Sequence, residues 1–332
     1  MTEPDCGRID ELLGRLAGKR ILVIGDVMLD RYLWGRVSRM SPEAPVPVVE
    51  VEREAVSLGG AANVAANVLG LGACPVLIGL IGADDDAGVA LRSELDRHDL
   101  PVTGLISDPD RPTTVKTRII AHHQHVVRAD REDRHPAVGT IAGALQQAVL
   151  DALPGAAAVI LQDYNKGVLS AEVLDLILPA LVGSKLPLTV DPKFERFFSY
   201  RGVTVFKPNQ REVELALSVH LEDDTGVEEA ARTLQDRLEA ENVLITRGEH
   251  GMTLLSAEGR ITHVGTRARH VYDVSGAGDT VIATLTAMLA AGADVHEATL
   301  MANHAAGTVV AEVGAVPITA AALRAATDDD GD

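Results

Sequence analysis

The residues best suited to chemistry lie in three short segments. The sharpest is Asp273-Val274-Ser275-Gly276-Ala277-Gly278-Asp279-Thr280. Its small side chains allow a ligand close to the backbone, and a helix begins inside it. Exposed N–H groups at a helix N-terminus bind anions. Asp279 falls in that first turn, beside the anion hole offered by Gly276, Ala277 and Gly278. A carboxylate placed where phosphate is transferred serves as a general base or as a metal ligand. A helix cap with glycines for packing would account for the same residues without chemistry, but two further segments weigh against it. Leu58-Gly59-Gly60-Ala61-Ala62-Asn63-Val64-Ala65 is a second glycine turn opening a helix, with Asn63 in the first turn. Lys207-Pro208-Asn209-Gln210-Arg211-Glu212 follows a strand. There Asn209 can cap the next helix, and Glu212 three residues on completes a capping-box spacing. The same two side chains could instead stand near nucleotide phosphates and a hydrated Mg²⁺, an ion that keeps its waters and takes few protein ligands.

Such segments need elements to hold them. Aliphatic runs at 20–25, 75–81, 157–161, 186–190, 203–206 and 242–246 predict buried strands, each ending near Gly, Asp, Asn or Pro. Segments 60–69, 88–98, 140–152, 170–181 and 227–238 predict helices between them. That alternation implies an α/β fold, a mostly parallel sheet covered by helices on both faces. Two stretches break the pattern. Residues 32–51 carry Pro42, Pro45 and Pro47 and suit an edge strand, and residues 113–130 alternate β-branched with polar and basic side chains. They predict a small β appendage, a natural lid, inserted at about 32–52 and 112–130 into a single domain spanning 1–332. Residues 252–256 and 260–264 flank Glu258-Gly259 as a hairpin, and 276–291 and 295–313 predict two Ala-rich helices. The acidic stretch 327–332 predicts a frayed tail.

Composition narrows the function classes. The chain has 332 residues and 35.0 kDa, enough for one large α/β domain. Hydrophobic residues make up 46% and aromatics only 3%, so the core must be aliphatic. Forty-eight acidic against 30 basic residues give a net charge of −18, which argues against a nucleic-acid or anionic-membrane binder. An anionic substrate would require the few basic residues to gather at its site. Cys6 and Cys74 support neither a disulfide framework nor a Cys-rich metal site and fit a reducing cytoplasm. The acidic N-terminus lacks a signal-peptide pattern, and no apolar run approaches the roughly 20 residues of a membrane span.

Taken in order, the three motifs resemble those of the PfkB, or ribokinase-like, family of sugar kinases. Segment 58–65 is similar to the family's Gly-Gly signature, 209–212 to its Asn-x-x-Glu motif and 273–279 to its C-terminal signature, and the resemblance runs over about 15–320. As in that family, no Gly-x4-Gly-Lys-Ser/Thr phosphate loop is present. The resemblance implies a three-layer α/β/α sandwich with a mostly parallel central sheet and a small β lid. Further segments are similar to the kinase module of bacterial heptose-phosphate kinases: Gly25-Asp26-Val27-Met28-Leu29-Asp30-Arg31-Tyr32, residues 41–48, 113–118 and 127–132, and Asp163-Tyr164-Asn165-Lys166-Gly167. The implied reaction is ATP-dependent phosphorylation of D-glycero-β-D-manno-heptose 7-phosphate on O1, in the ADP-heptose route to lipopolysaccharide core. In many such relatives a nucleotidyltransferase domain follows, so a stand-alone kinase is expected here. One departure is His122-His123-Gln124-His125, where the family commonly has a Gln-rich turn. Solvated lid histidines and a metal site are the two readings.

The resemblance also implies roles. Asp279 takes the acceptor proton while the N–H groups of Gly276, Ala277 and Gly278 hold the developing charge. Glu212 steers Mg²⁺ through water. Asn209, Thr246, Arg247, Gly248, Ser275 and Asn303 fall at nucleotide-binding positions, and Asp273 at a position able to hold a monovalent cation such as K⁺. Asp30, Gly59, Gly60, Asn63 and Asp163 face the sugar. Lys116, Arg118, Arg128, Lys166 and Lys193 are candidates for its distal phosphate, with ordinary surface ion pairs as the alternative for each. A homodimer through the β lid is expected, with no nucleic acid or membrane partner. Another PfkB-type kinase and a non-catalytic sensor on the same fold are the competing readings. A Rossmann-type dehydrogenase is disfavoured, because no Gly-x-Gly-x-x-Gly follows the first strand.

Overall fold

The structure, a computed structural model, describes residues 6–122, 124–268, 271–312 and 314–328. Helix α1 (Cys6–Leu16) leads into β1 (Arg20–Gly25), β2 (Val27–Met40) and β3 (Pro47–Gly60), and β3 runs straight into α2 (Ala61–Gly70). Then come β4 (Cys74–Gly82), α3 (Asp86–Arg97), β5 (Leu105–Asp108), β6 (Thr114–Ala121) and β7 (Gln124–Arg131). The middle of the chain holds α4 (Gly139–Ala152), β8 (Ala156–Gln162), α5 (Ala171–Gly183), β9 (Leu188–Asp191) and β10 (Val205–Phe206). After α6 (Gln210–Leu217), α7 (Asp224–Leu238) and β11 (Asn242–Thr246), the hairpin β12 (Met252–Leu255) and β13 (Ile261–Val264) precedes α8 (Ala277–Ala291), α9 (Val295–Val309) and α10 (Ala320–Asp328).

The large sheet has the order β13-β12-β11-β10-β9-β8-β1-β4-β5. Strands β5 to β11 in that order are parallel, and only β12 runs against them, pairing antiparallel with β11 on one side and β13 on the other. Its inner strands are aliphatic throughout because helices bury both faces. Along β1, Ile21 and Val23 join the core beneath α2, α8 and α9, while Leu22 and Ile24 join the core beneath α4, α5 and α7. This is the expected α/β/α sandwich, built with aliphatic rather than aromatic packing.

The second sheet has the order β3-β2-β6-β7. Its strands begin closer to the core than the predicted insertions: β2 pairs with β3 from Val27↔Gly60 through Asp30↔Ser57 and onward to Met40↔Pro47. Gly59 and Gly60 therefore end a long strand as well as opening a helix. β3 is an edge strand with Pro47 as its first residue, where a missing N–H costs no ladder bond. Several expectations are corrected. The last long helix stops at Val309, short of residue 313. Residues 327 and 328 finish α10 instead of fraying, and 329–332 lie outside the described residues. Of the lid histidines, His123 lies outside them too, His122 turns through φ 50° and His125 is exposed. Among the described residues no group of three His, Cys, Asp or Glu is placed to hold a metal ion. Nor is any helix among them long and apolar enough to cross a membrane.

Candidate active site

Ligands of open α/β sheets bind beyond the carboxyl ends of the strands. Here the ends of β1, β8, β9 and β10 deliver Asp26, Gln162, Asp191 and Lys207 to one place, and all four are buried. Helix α8 starts against them. Its cap, Gly276, sits at φ 82°, and a Cβ there would lie 3.0 Å from Asn63 Nδ2. Helix α2 packs alongside α8 through two asparagines one turn apart. Asn63 Nδ2 donates to Asp279 Oδ2 at 2.8 Å, and Asn67 Oδ1 accepts from Thr280 Oγ1 at 2.9 Å.

Asp279 is thus held by three neutral donors. Tyr164 OH donates to Oδ1 at 2.8 Å and Gln162 Nε2 to the same oxygen at 3.1 Å, opposite the Asn63 bond on Oδ2. Burial pushes the Asp279 carboxyl up to about 6, with the Asn63 and Tyr164 bonds pulling it down and Asp191 pushing it further up. A carboxylate of that affinity is ionised near neutrality yet able to accept a proton. Of the amides expected to hold an anion, that of Ala277 donates to Val274 O at 3.2 Å. Ala277 is therefore the least available of the three expected donors.

Beside this turn lies a cavity of about 490 Å³, lined by Thr246, Gly248, Met252, Val274, Gly278 and Asn303 among others. Its walls are largely aliphatic, suited to a flat heterocycle. Arg247 is not among them; its guanidinium is held by Asp224 at 2.7 Å and Thr253 Oγ1 at 3.2 Å. Ser275 is a loop residue whose amide bonds Asp273 Oδ1 at 2.9 Å. The other Asp273 oxygen takes the Gly314 amide at 3.1 Å. Burial would push the Asp273 carboxyl up, but these bonds and Arg118 bring it below its ordinary value.

Asn209 and Glu212 form a complete capping box at the start of α6, with both bonds at 2.9 Å. The capping role and a polar role coexist, because Glu212 Oε1 also meets Lys193 Nζ. Burial and the neighbouring Asp191 charge push Glu212 above its ordinary range. A cation there would relieve both, so the donor set fits a hydrated Mg²⁺ shared with phosphates.

The five candidate cations separate. Arg118 on β6 pairs with Asp30 on β2, and Gly59 leaves room for that carboxylate: a Cβ on it would lie 2.8 Å from Asp30 Oδ2. Lys116 stands opposite Asp30 in the ladder, its Nζ 4.9 Å from the centre of the Tyr164 ring. Among the described residues Lys116 has no ion pair. Burial pulls its pKa down against the nearby Asp30 charge, and the charges of Lys166 and Arg118 pull down as well. Lys166 is paired to Glu132 at 2.7 Å. Lys193 instead belongs with Glu212 and Asp191, and Arg128 lies on exposed β7, paired to Asp130 at 3.0 Å. Asp163 holds the loop rather than facing the Asp279 cleft: its carboxylate accepts from Tyr200 OH and from the Asn165 amide, both at 2.7 Å.

Sequence reasoning missed Asp26, Gln162, Tyr164, Asp191 and Lys207 as site residues. Asp26 accepts the amides of Tyr164, Lys166 and Val168 at 2.7, 3.0 and 3.1 Å and so fixes the loop that carries Tyr164. A signal was present: each of Asp26, Gln162, Asp191 and Lys207 is a polar residue at or just past the end of an apolar strand run.

The model of the pfkB family of carbohydrate kinases matches residues 19–321. Bifunctional protein HldE of Nitrobacter hamburgensis is 44% identical over 317 residues, which cover 95% of this chain and 65% of that relative. Bifunctional protein HldE of Caulobacter vibrioides is 46% identical over 322 residues, 96% of this chain and 66% of the relative. The chain thus spans slightly less than two thirds of their length. Among solved structures, phosphofructokinase-2 from Escherichia coli in complex with potassium superposes with a TM-score of 0.78 at 19% identity, covering 94% of this chain and 99% of that one. Ribokinase from Arabidopsis thaliana complexed with ribose and ATP gives 0.76 at 17%, with the same coverage. Likeness at that identity is a likeness of fold.

Proposed function

The chain belongs to the pfkB family of carbohydrate kinases, and from that premise we propose that it transfers the γ-phosphoryl group of ATP to O1 of D-glycero-β-D-manno-heptose 7-phosphate, giving the 1,7-bisphosphate and ADP. The observation that carries the sugar-phosphate part is Lys116, a half-buried cation with no ion pair among the described residues, beside Lys166, Arg118 and Asp30. A neutral sugar gives such a group nothing to pair with, whereas a distal phosphate does. The similarity to the HldE proteins supports the same acceptor.

In this reading the cavity beside α8 takes the nucleotide and places its γ-phosphate over the Gly276–Gly278 turn. Asp30 accepts sugar hydroxyls, and Asp279 takes the O1 proton as the new P–O bond forms. Backbone amides of Gly276 and Gly278 hold charge on the transferred group. Mg²⁺, when bound, neutralises charge on the nucleotide phosphates. Glu212 would hold its water shell, with Lys193 as a second positive group. The lid strands exclude water from the transferred phosphoryl group.

The test is ADP release with ATP and Mg²⁺ across D-glycero-D-manno-heptose 7-phosphate, sedoheptulose 7-phosphate, fructose 6-phosphate, ribose, fructose and adenosine. Selective turnover of the heptose phosphate, with phosphorus NMR placing the new phosphate on O1, is expected. Turnover of ribose or fructose in preference would overturn the acceptor while leaving the family in place. Lys116→Ala should raise the KM for the heptose phosphate about tenfold or more and leave that for ATP within about twofold. Equal effects on both substrates would remove Lys116 from the distal phosphate.

A further inference from the structure

Asp279 is gripped from behind by an amide that none of the expected motifs supplied. Gln162 ends β8 with its side chain fully enclosed, at 0% exposure. Its Nε2 donates to Asp279 Oδ1 at 3.1 Å and to Asp191 Oδ2 at 3.2 Å. An amide nitrogen has two hydrogens, one for each carboxylate. The flipped amide would set Oε1 against two carboxylate oxygens, so this orientation is fixed even though Oε1 is left buried with no partner. Lys207 Nζ meets the same Asp191 oxygen at 3.0 Å and balances its charge. Lys193 faces the group from the Glu212 side and Tyr164 from the loop after β8.

The donors are unevenly shared. Among the described residues, Oδ1 of Asp279 receives Gln162 and Tyr164, whereas Oδ2 receives Asn63 alone. A carboxylate oxygen has about two lone-pair sites. Oδ1 is therefore filled and Oδ2 keeps one site open.

We propose that Gln162 is a positioning residue for phosphoryl transfer: by bridging Asp191 and Asp279 it fixes the carboxylate so that Oδ2 receives the acceptor proton. The inference rests on the reading of Asp279 as the base. In the step, the acceptor O–H bond breaks with its proton passing to Oδ2. The acceptor oxygen bonds the γ-phosphorus, and the bond from that phosphorus to the bridging oxygen breaks with its electron pair leaving on ADP. Asp279 then returns the proton to solvent. Without the bridge, Asp279 would keep Asn63 and Tyr164, and Asp191 would keep Lys207, but no shared donor would tie the two like charges to each other.

The experiment compares wild type, Gln162→Leu, Gln162→Asn and Asp279→Asn, using the panel sugar that turns over fastest. Gln162→Leu removes both donors at similar volume, and Gln162→Asn keeps an amide too short to span the two carboxylates. In both, kcat should fall about ten- to a hundredfold with the KM values for ATP and sugar little changed. The acid limb of the pH–kcat profile should move up by roughly half a unit, because a donor that favours the ionised base is lost. Asp279→Asn should abolish turnover. A Gln162→Leu enzyme that melts earlier but keeps the wild-type kcat and acid limb makes Gln162 a packing residue and overturns the proposal, with Asp279 still the base. Wild-type turnover by Asp279→Asn overturns the reading of the base, and the proposal with it. Should Gln162→Leu not fold, Gln162→Asn carries the same two readouts.

Discussion

Asp279 carries the pH dependence expected of the reaction. Its carboxyl lies at about 6, raised chiefly by burial. Only the ionised form accepts a proton, so kcat should fall as pH drops through about 6 and level off above it; a pH–kcat profile checks this. An acid limb near the ordinary carboxylate value would mean that the three donors outweigh burial. Asp163 makes a different prediction, on stability. Burial, with the nearby Asp26 charge, lifts it from 3.8 to about 6 in the folded chain. Between those values the folded chain binds a proton that the unfolded chain has released. Stability from this group therefore falls as pH rises through the window, and the whole loss is present above about 6. Asp163→Asn removes the charge while its amide can still meet Tyr200 and Asn165. The variant should melt about 2 °C or more above wild type at pH 7.5, a gain that shrinks toward pH 4 in thermal denaturation. An equal shift at every pH would show a packing effect instead.

Among elements, the start of α8 decides most. Gly276 at φ 82° turns the chain into α8, with Asn63 packed close against it. Gly276→Ala adds a Cβ at 3.0 Å from Asn63 Nδ2 in a left-handed conformation. It should cost roughly 1 kcal/mol of stability, seen as a lower Tm, and lower kcat by more than tenfold because the Asn63–Asp279 bond must shift. Retained kcat would remove the turn from the chemistry. This turn was legible in the sequence because glycine spacing states a backbone need within a few residues. The capping box of Asn209 and Glu212 was legible for the same reason, since both partners lie in one helical turn. The clamp on Asp279 was not. Gln162 and Asp279 stand 117 residues apart, Asn63 and Asp279 stand 216 apart, and only the parallel order of β1, β8 and β9 brings them together. The inner halves of β2 and β3 escaped notice for a related reason. Residues 58–60 end in two glycines that read locally as a turn, and residues 27–31 follow Gly25-Asp26 too closely to stand out from β1; their pairing with each other makes them strands. Helix α1 carries a local pattern too: Ile9, Leu12 and Leu16 recur at helical spacing and are all fully buried.

At the scale of the whole molecule, the lid sheet leaves its edges open and one outer strand exposed throughout. β3 and β7 are its outer strands, every residue of β7 is exposed, and Val51 and Val127 are 52% and 50% exposed. Uncovered edges with apolar side chains invite pairing with another chain. Charge permits a second copy there despite the net −18, since the four lid strands hold eight basic residues against five acidic ones. We propose that two copies pair through their lids. Light scattering should then give twice 35.0 kDa for the wild type, and Val127→Lys, which puts a charge on the outer strand, should return the mass to 35.0 kDa. The consequence for binding is asymmetric. Lys116 and Arg118 lie on β6, hydrogen-bonded to β7, whereas the cavity beside α8 is lined by no lid residue. Loosening the lid should raise the KM for the sugar phosphate several-fold and leave ATP affinity unchanged. A wild type of 35.0 kDa with full activity would sink the pairing. A monomeric Val127→Lys with an unchanged sugar-phosphate KM would show that each lid orders itself without its neighbour.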